Sequence, residues 1–275
     1  MPRSGWTDLP DEVRGAIEAR IGPVVGARSA TTGNHADVAA TLETADSKVF
    51  VKAARKLDTD QDGPEVWSLR RESLIAPHVK QFAPRLLWQQ ESGGWLVLGF
   101  EHVPGRAADF APGSPDLNEL VTIIHRLQAA HCPDVVELRV EQRWASLADD
   151  VSPMAGDALL HTDLNPKNLI INDDDGSIRV VDWALASRGA AWVEVVQLMP
   201  WLIMAGHAPN EADMLGRRLP SWRNVAPEAV ALHAGLAVSF WERRSRNHPA
   251  AWIAPYLAAW RVWADYVSKA YAAPH

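Results

Sequence analysis

A polar loop, His161-Thr162-Asp163-Leu164-Asn165-Pro166-Lys167-Asn168, stands immediately before an apolar run, Leu169-Ile170-Ile171. A second aspartate, Asp182, closes the run Val180-Val181 and lies 19 residues after Asp163. The stretch between, with a turn at Asn172 to Ser177, has the size of a hairpin that brings Asp182 back beside Asn168. A carboxylate in a loop can accept the proton of a hydroxyl nucleophile, which suits Asp163. An asparagine oxygen and a further carboxylate, Asn168 and Asp182, are hard ligands for Mg2+. One proton acceptor and two cation ligands are what phosphoryl transfer asks of a protein, because that reaction depends on positioning and charge compensation more than on covalent help.

Such chemistry also needs a fixed cation for the phosphates. Val49-Phe50-Val51-Lys52 ends an apolar strand in a lone lysine, and the next helix carries Glu72, so a lysine held by a glutamate across sheet and helix is expected. The elements around this pair read as follows. Leu9, Val13, Ile17 and Ile21 recur at helical spacing and predict a helix over 8–21, with Asp8 as N-cap and Gly22 as stop. Strands are predicted over 24–31, 38–44 and 48–54, then a helix over 63–80, then two strands within 85–103 split by Ser92-Gly93-Gly94. After Pro104-Gly105 the strand signal nearly vanishes apart from the hairpin at 169–181. Helices are expected over 117–127 and 225–241, and Trp252, Tyr256, Trp260, Trp263 and Val267 form a further helical stripe. The fold expected is α+β with two lobes: residues 1–103 a small antiparallel sheet with one helix, binding nucleotide, and residues 104–275 mostly helical, carrying catalysis and the acceptor.

The series Lys52, Glu72, His161-x-Asp163, Asn168, Asp182 follows the order of kinase motifs, and the chain resembles the aminoglycoside phosphotransferase family, the small-molecule branch of the protein-kinase-like fold. The resemblance runs from about Val24 to Leu198 and is strongest at His161 to Asn168 and at Val180 to Trp183. It implies a magnesium-dependent phosphotransferase that uses ATP or GTP as donor, with Asp163 as the base. It also implies that Phe100-Glu101-His102-Val103-Pro104-Gly105 is the hinge whose backbone, at Glu101 and Val103, holds the purine. There are departures. No G-x-G-x-x-G loop is present; Thr31-Thr32-Gly33-Asn34-His35 fills the first hairpin, where Thr32, Gly33 and Asn34 can cover phosphates with N–H groups and hydroxyls. Asp182-Trp183-Ala184 replaces D-F-G, and Ala226-Pro227-Glu228 reads as a helix start, with Pro at the first helical position.

Composition narrows the partners. The formal charge is -7, which argues against a nucleic-acid or anionic membrane surface, and no apolar stretch reaches membrane-spanning length. A cytoplasmic location is expected. The lone cysteine, Cys132, forms no internal disulfide, and the spacing of His125, His131 and Cys132 fits no zinc site. Asp173-Asp174-Asp175-Gly176 reads as a turn rather than a calcium loop. From Val195 onward eight Lys and Arg face five Asp and Glu, a balance that disfavours a polycationic aminoglycoside, and the 13 tryptophans suit a flatter, less charged acceptor. A Ser or Thr of a precursor peptide, or a nucleotide-binding role without catalysis, are the alternative readings.

Overall fold

The computed structural model describes residues 4–30, 36–58 and 61–271. They form two compact units, Met1–Arg106 with Ile170–Leu185, and Ala107–Leu169 with Ala186–His275.

The first unit holds α1 (Asp11–Ile21), β1 (Gly26–Ser29), β2 (Val38–Glu43), β3 (Lys48–Arg55), α2 (Pro64–Ile75), β4 (Leu86–Ser92) and β5 (Trp95–Glu101). The strands make one antiparallel sheet in the order β1-β2-β3-β5-β4. Its two faces are both covered. Val49, Val51 and Ala53 of β3 pack with Val13 and Ile17 of α1, while Ala54, Leu96 and Leu98 pack with Val66 and Leu69 of α2. Because side chains alternate along a strand, Lys52 shares the α2 face with Ala54. Gly63 caps α2, Pro64 opens it, and the buried stripe Val66, Leu69, Glu72, Ile75 places a carboxylate in an otherwise apolar row. Gly99 is required in β5, since a Cβ there would lie 2.2 Å from the Trp88 ring.

Several boundaries differ from the sequence expectation. Asp8 closes a short 3-10 turn, Trp6–Asp8, by accepting the Gly5 N–H at 2.6 Å, so α1 starts at Asp11 behind Pro10. The helix expected to reach residue 80 ends as α at Ile75, with a 3-10 turn over Ala76–His78 around Pro77. The hairpin of Leu169–Asn172 and Ile178–Val180 groups largely with the first unit rather than with everything after Pro104. Its first strand pairs with Gly105–Ala107, the Val180 N–H reaches the Phe82 carbonyl at 2.8 Å, and the Asp173 N–H reaches that of Pro104 at 3.1 Å.

The second unit is helical: α3 (Asp116–Gln128), α4 (Trp192–Met204), α5 (Pro209–Gly216), α6 (Pro220–Arg223), α7 (Pro227–Asn247) and α8 (Ile253–Ala270). Ala226 is the N-cap of α7 and Pro227 its first residue, as the sequence indicates. α4 is apolar nearly all round and buried, which suits the centre of a bundle. One small antiparallel pair, Ala158–Leu160 with Ser187–Gly189, leads directly into His161.

Candidate active site

In the first unit Lys52, Glu72 and Asp182 come together. The Lys52 ammonium donates to both Glu72 oxygens at 2.8 Å and to Asp182 Oδ1 at 3.1 Å, and all three side chains are buried. Burial opposes the Lys52 charge, yet Asp182 and Glu72 outweigh it and hold the ammonium above its ordinary 10.5. Burial pushes the Glu72 carboxyl up, partly offset by Lys52. One cation between two carboxylates leaves the cluster with a formal charge of -1 in a water-poor setting. Asp182 itself has φ 69°, in the left-handed region that non-glycine residues seldom adopt. Its neighbours hold it there: the Trp183 ring is buried 6.5 Å from that of Phe82, its indole N–H donates to the Val180 carbonyl at 2.9 Å, and its backbone N–H donates to Glu72.

In the second unit the loop from His161 to Asn168 is gripped at several points. Asn165 Nδ2 donates to Asp163 Oδ1 at 3.1 Å and Asn168 Nδ2 to Asp163 Oδ2 at 2.9 Å, so each carboxylate oxygen meets an amide. Both amides also reach the Asp163 carbonyl, and the Asp163 N–H points to His161 Nδ1 at 3.3 Å. Asn165 Oδ1 accepts the Lys167 N–H at 2.9 Å, capping the turn Pro166–Asn168 that delivers Asn168. The Lys167 side chain is exposed.

Thr162, a β-branched residue, sits at φ 66°, a strained conformation that its surroundings must impose. Glu194, in the first turn of α4, accepts the backbone N–H groups of His161 and Thr162, the latter at 3.0 Å. The Arg143 guanidinium donates to Thr162 Oγ1 at 2.7 Å and to Ser187 Oγ at 3.0 Å. Burial pushes the Glu194 carboxyl up to about 7 against the pull of those N–H groups and of Arg143. Glu194, Arg143 and the gripping role of Asn165 are absent from the sequence-based site. Glu194 does leave a trace there, as the lone acid in the apolar run Trp192 to Met204, whereas Arg143 leaves none.

Glu101 ends β5, and its N–H is taken by the Arg85 carbonyl at 2.9 Å. The Val103 N–H has no hydrogen bond among the described residues. Thr32, Gly33 and Asn34 lie outside the described residues. Asp175 accepts the Ser177 N–H at 2.9 Å and Gly176 has φ 69°, so that acidic run is a turn. No group of three His, Cys, Asp or Glu able to hold a metal occurs among the described residues.

Residues 111–227 match the model of a phosphotransferase enzyme family. Over that segment, which is less than half of the chain, the protein is similar to that family. The matched segment spans Arg143, the loop from His161 to Asn168, Asp182 and Glu194. The chain also shares its fold with a spectinomycin phosphotransferase solved with ADP and spectinomycin, at 10% identity, covering 88% of this chain and 89% of that one, with a TM-score of 0.56. An aminoglycoside phosphotransferase from Alicyclobacillus acidocaldarius subsp. acidocaldarius is similar at 13% identity, 90% coverage of each chain and a TM-score of 0.57. No curated protein matches the chain in sequence. Among its described residues no helix is long and apolar enough to cross a membrane.

Proposed function

We propose that this protein is a phosphotransferase that moves the γ-phosphate of ATP, or of GTP, to a hydroxyl of a small molecule, with Mg2+ as cofactor. The observation that carries the reading is Asp163, whose two oxygens are fixed by Asn165 and Asn168 in a loop that Glu194 anchors from behind. A carboxylate held in this way is aimed before any substrate arrives. The acceptor hydroxyl gives its proton to Asp163 as its oxygen forms the new bond to the γ-phosphorus. The bond from that phosphorus to the β–γ bridging oxygen breaks, and the electron pair leaves with the nucleoside diphosphate.

Lys52, oriented by Glu72, contacts the donor's phosphates. Asp182, through the residual negative charge around it, and Asn168, through its amide oxygen, would be the protein's hard-oxygen ligands for Mg2+, which binds proteins through one or two carboxylates and takes its other ligands from phosphate and water. When bound, the ion offsets phosphate charge. The Val103 N–H and the Glu101 backbone take the purine, and Thr32, Gly33 and Asn34 cover the phosphates. The relative that binds ADP and spectinomycin supports both a nucleotide and a small-molecule partner. A cytoplasmic location follows from the need for the triphosphate.

The reading is tested by diphosphate release from ATP and Mg2+ across a panel of alcohols, wild type beside Asp163→Asn. Acceptor-dependent release that the variant loses is expected. Wild-type protein that neither binds nor turns over ATP would refute it.

A further inference from the structure

α4 carries more than the anchor of the catalytic loop. Seven residues after Glu194, and therefore on the same face about 10 Å along the axis, stands Trp201. The Trp201 ring meets Tyr256 of α8, with centroids 4.7 Å apart. Tyr256 in turn meets Trp241 of α7 at 5.0 Å and Trp252, at the head of α8, at 5.9 Å, while Trp241 and Trp252 lie 5.3 Å apart, edge to face. This cluster runs out to the surface: Tyr256 is buried, Trp201 and Trp241 are half-buried, and Trp252 is 40% exposed. Its inner end lies on the helix that holds the loop, since Trp201 follows Glu194 along one face of α4 and Glu194 accepts the Thr162 N–H.

Four of the five acids after Val195 are already engaged. Glu211 accepts the Ala208 N–H at the start of α5, and Asp213 accepts from Arg217, Trp222, Tyr266 and Tyr271. Glu242 pairs with Arg261 and Asp265 with Lys269. Together with the basic excess after Val195, this leaves little to attract a polycation, while indole and phenol faces offer broad apolar contact.

We propose that Trp201, Trp241, Trp252 and Tyr256 form the acceptor-recognition face, and that the acceptor is an uncharged alcohol bearing a planar ring. The inference rests on the reading of Asp163 as the base. The ring stacks at the outer tryptophans and its hydroxyl side arm extends along α4 toward the catalytic loop.

The test compares three alcohols: 2-naphthaleneethanol, choline and kanamycin. Binding to the full chain is measured by calorimetry, and phosphoryl transfer from ATP by diphosphate release. 2-Naphthaleneethanol is expected to bind most tightly and to be phosphorylated. Trp252→Leu, which keeps apolar volume without the ring, should weaken its binding about tenfold, and Trp252→Phe should restore most of it. Tighter binding of choline or kanamycin overturns the inference, as does equal affinity in Trp252→Leu. Wild type that binds ATP but ignores 2-naphthaleneethanol overturns the inference alone. Ring-dependent binding of 2-naphthaleneethanol with no ATP binding supports the aromatic face and refutes the phosphotransfer reading instead.

Discussion

Glu194→Gln separates what the loop anchor does for stability from what it does for activity. The Glu194 carboxyl is 1% exposed, and burial holds its pKa at about 7 against an ordinary 4.5. A carboxyl raised on folding favours the folded state fully below pH 4.5 and loses that contribution as pH climbs through 7. At about 1.4 kcal/mol per pKa unit, the shift weakens the wild type by about 2–3 kcal/mol between pH 5 and pH 8. Glutamine does not ionise, so urea denaturation of both proteins at pH 5, 6, 7 and 8 should show the stability difference moving in favour of Glu194→Gln by that amount. Titrations common to both cancel in the difference. Activity should go the other way. The amide can turn only one oxygen toward the His161 and Thr162 N–H groups, and its NH2 opposes them, so the strained turn at Thr162 relaxes and turnover drops by on the order of tenfold or more. A stability difference independent of pH would refute the raised pKa of Glu194, and unchanged turnover would refute its role as the anchor of the loop.

His233 is boxed among Trp144, Trp192 and Trp260, with neither ring nitrogen partnered by a hydrogen bond, and burial holds its pKa at about 3 against 6.5. Its contribution to stability is complete above pH 6.5 and is lost as pH falls toward 3. His233→Leu should therefore remove about 2–3 kcal/mol of the stability change between pH 7 and 4.5, read from denaturant midpoints, and parallel pH profiles would contradict this. Asp213→Ala leaves the buried indole N–H of Trp222 and the half-buried hydroxyl of Tyr271 without their acceptor and should cost about 2–4 kcal/mol by urea unfolding, with a loss under 1 kcal/mol counting against the hub. Asp182→Asn should weaken binding of a non-hydrolysable ATP analogue far more in the presence of Mg2+ than in its absence, by calorimetry; equal losses would remove Asp182 from the ion.

The parts of the site legible in sequence are those whose geometry is local. Asp163 and Asn168 lie within one turn-forming loop, and Lys52 declares its face through the alternation of Val49, Val51 and Ala53. Glu72 is readable as the polar member of the stripe Val66, Leu69, Ile75. Glu194 and Arg143 are not, because they meet Thr162 from 32 and 19 residues away and only tertiary packing joins them. The strand pairs at 158–160 and 187–189 escape for the same reason: three residues carry no periodicity, and a distant partner fixes their register. Apolarity also misleads in places. Trp67 and Leu74 fit a helical pattern yet stand on the exposed side of α2, while the charged Glu72 is buried.

The central claim is that Asp163 accepts the acceptor's proton and does not hold the nucleotide. Turnover and nucleotide affinity measured on one preparation of Asp163→Asn decide it. The amide keeps the shape but cannot take a proton, so acceptor-dependent diphosphate release should fall by about a hundredfold or more, while the dissociation constant of an ATP analogue with Mg2+ stays within about threefold of wild type. Full turnover in the variant, or a loss of nucleotide affinity as large as the loss of rate, would contradict the account.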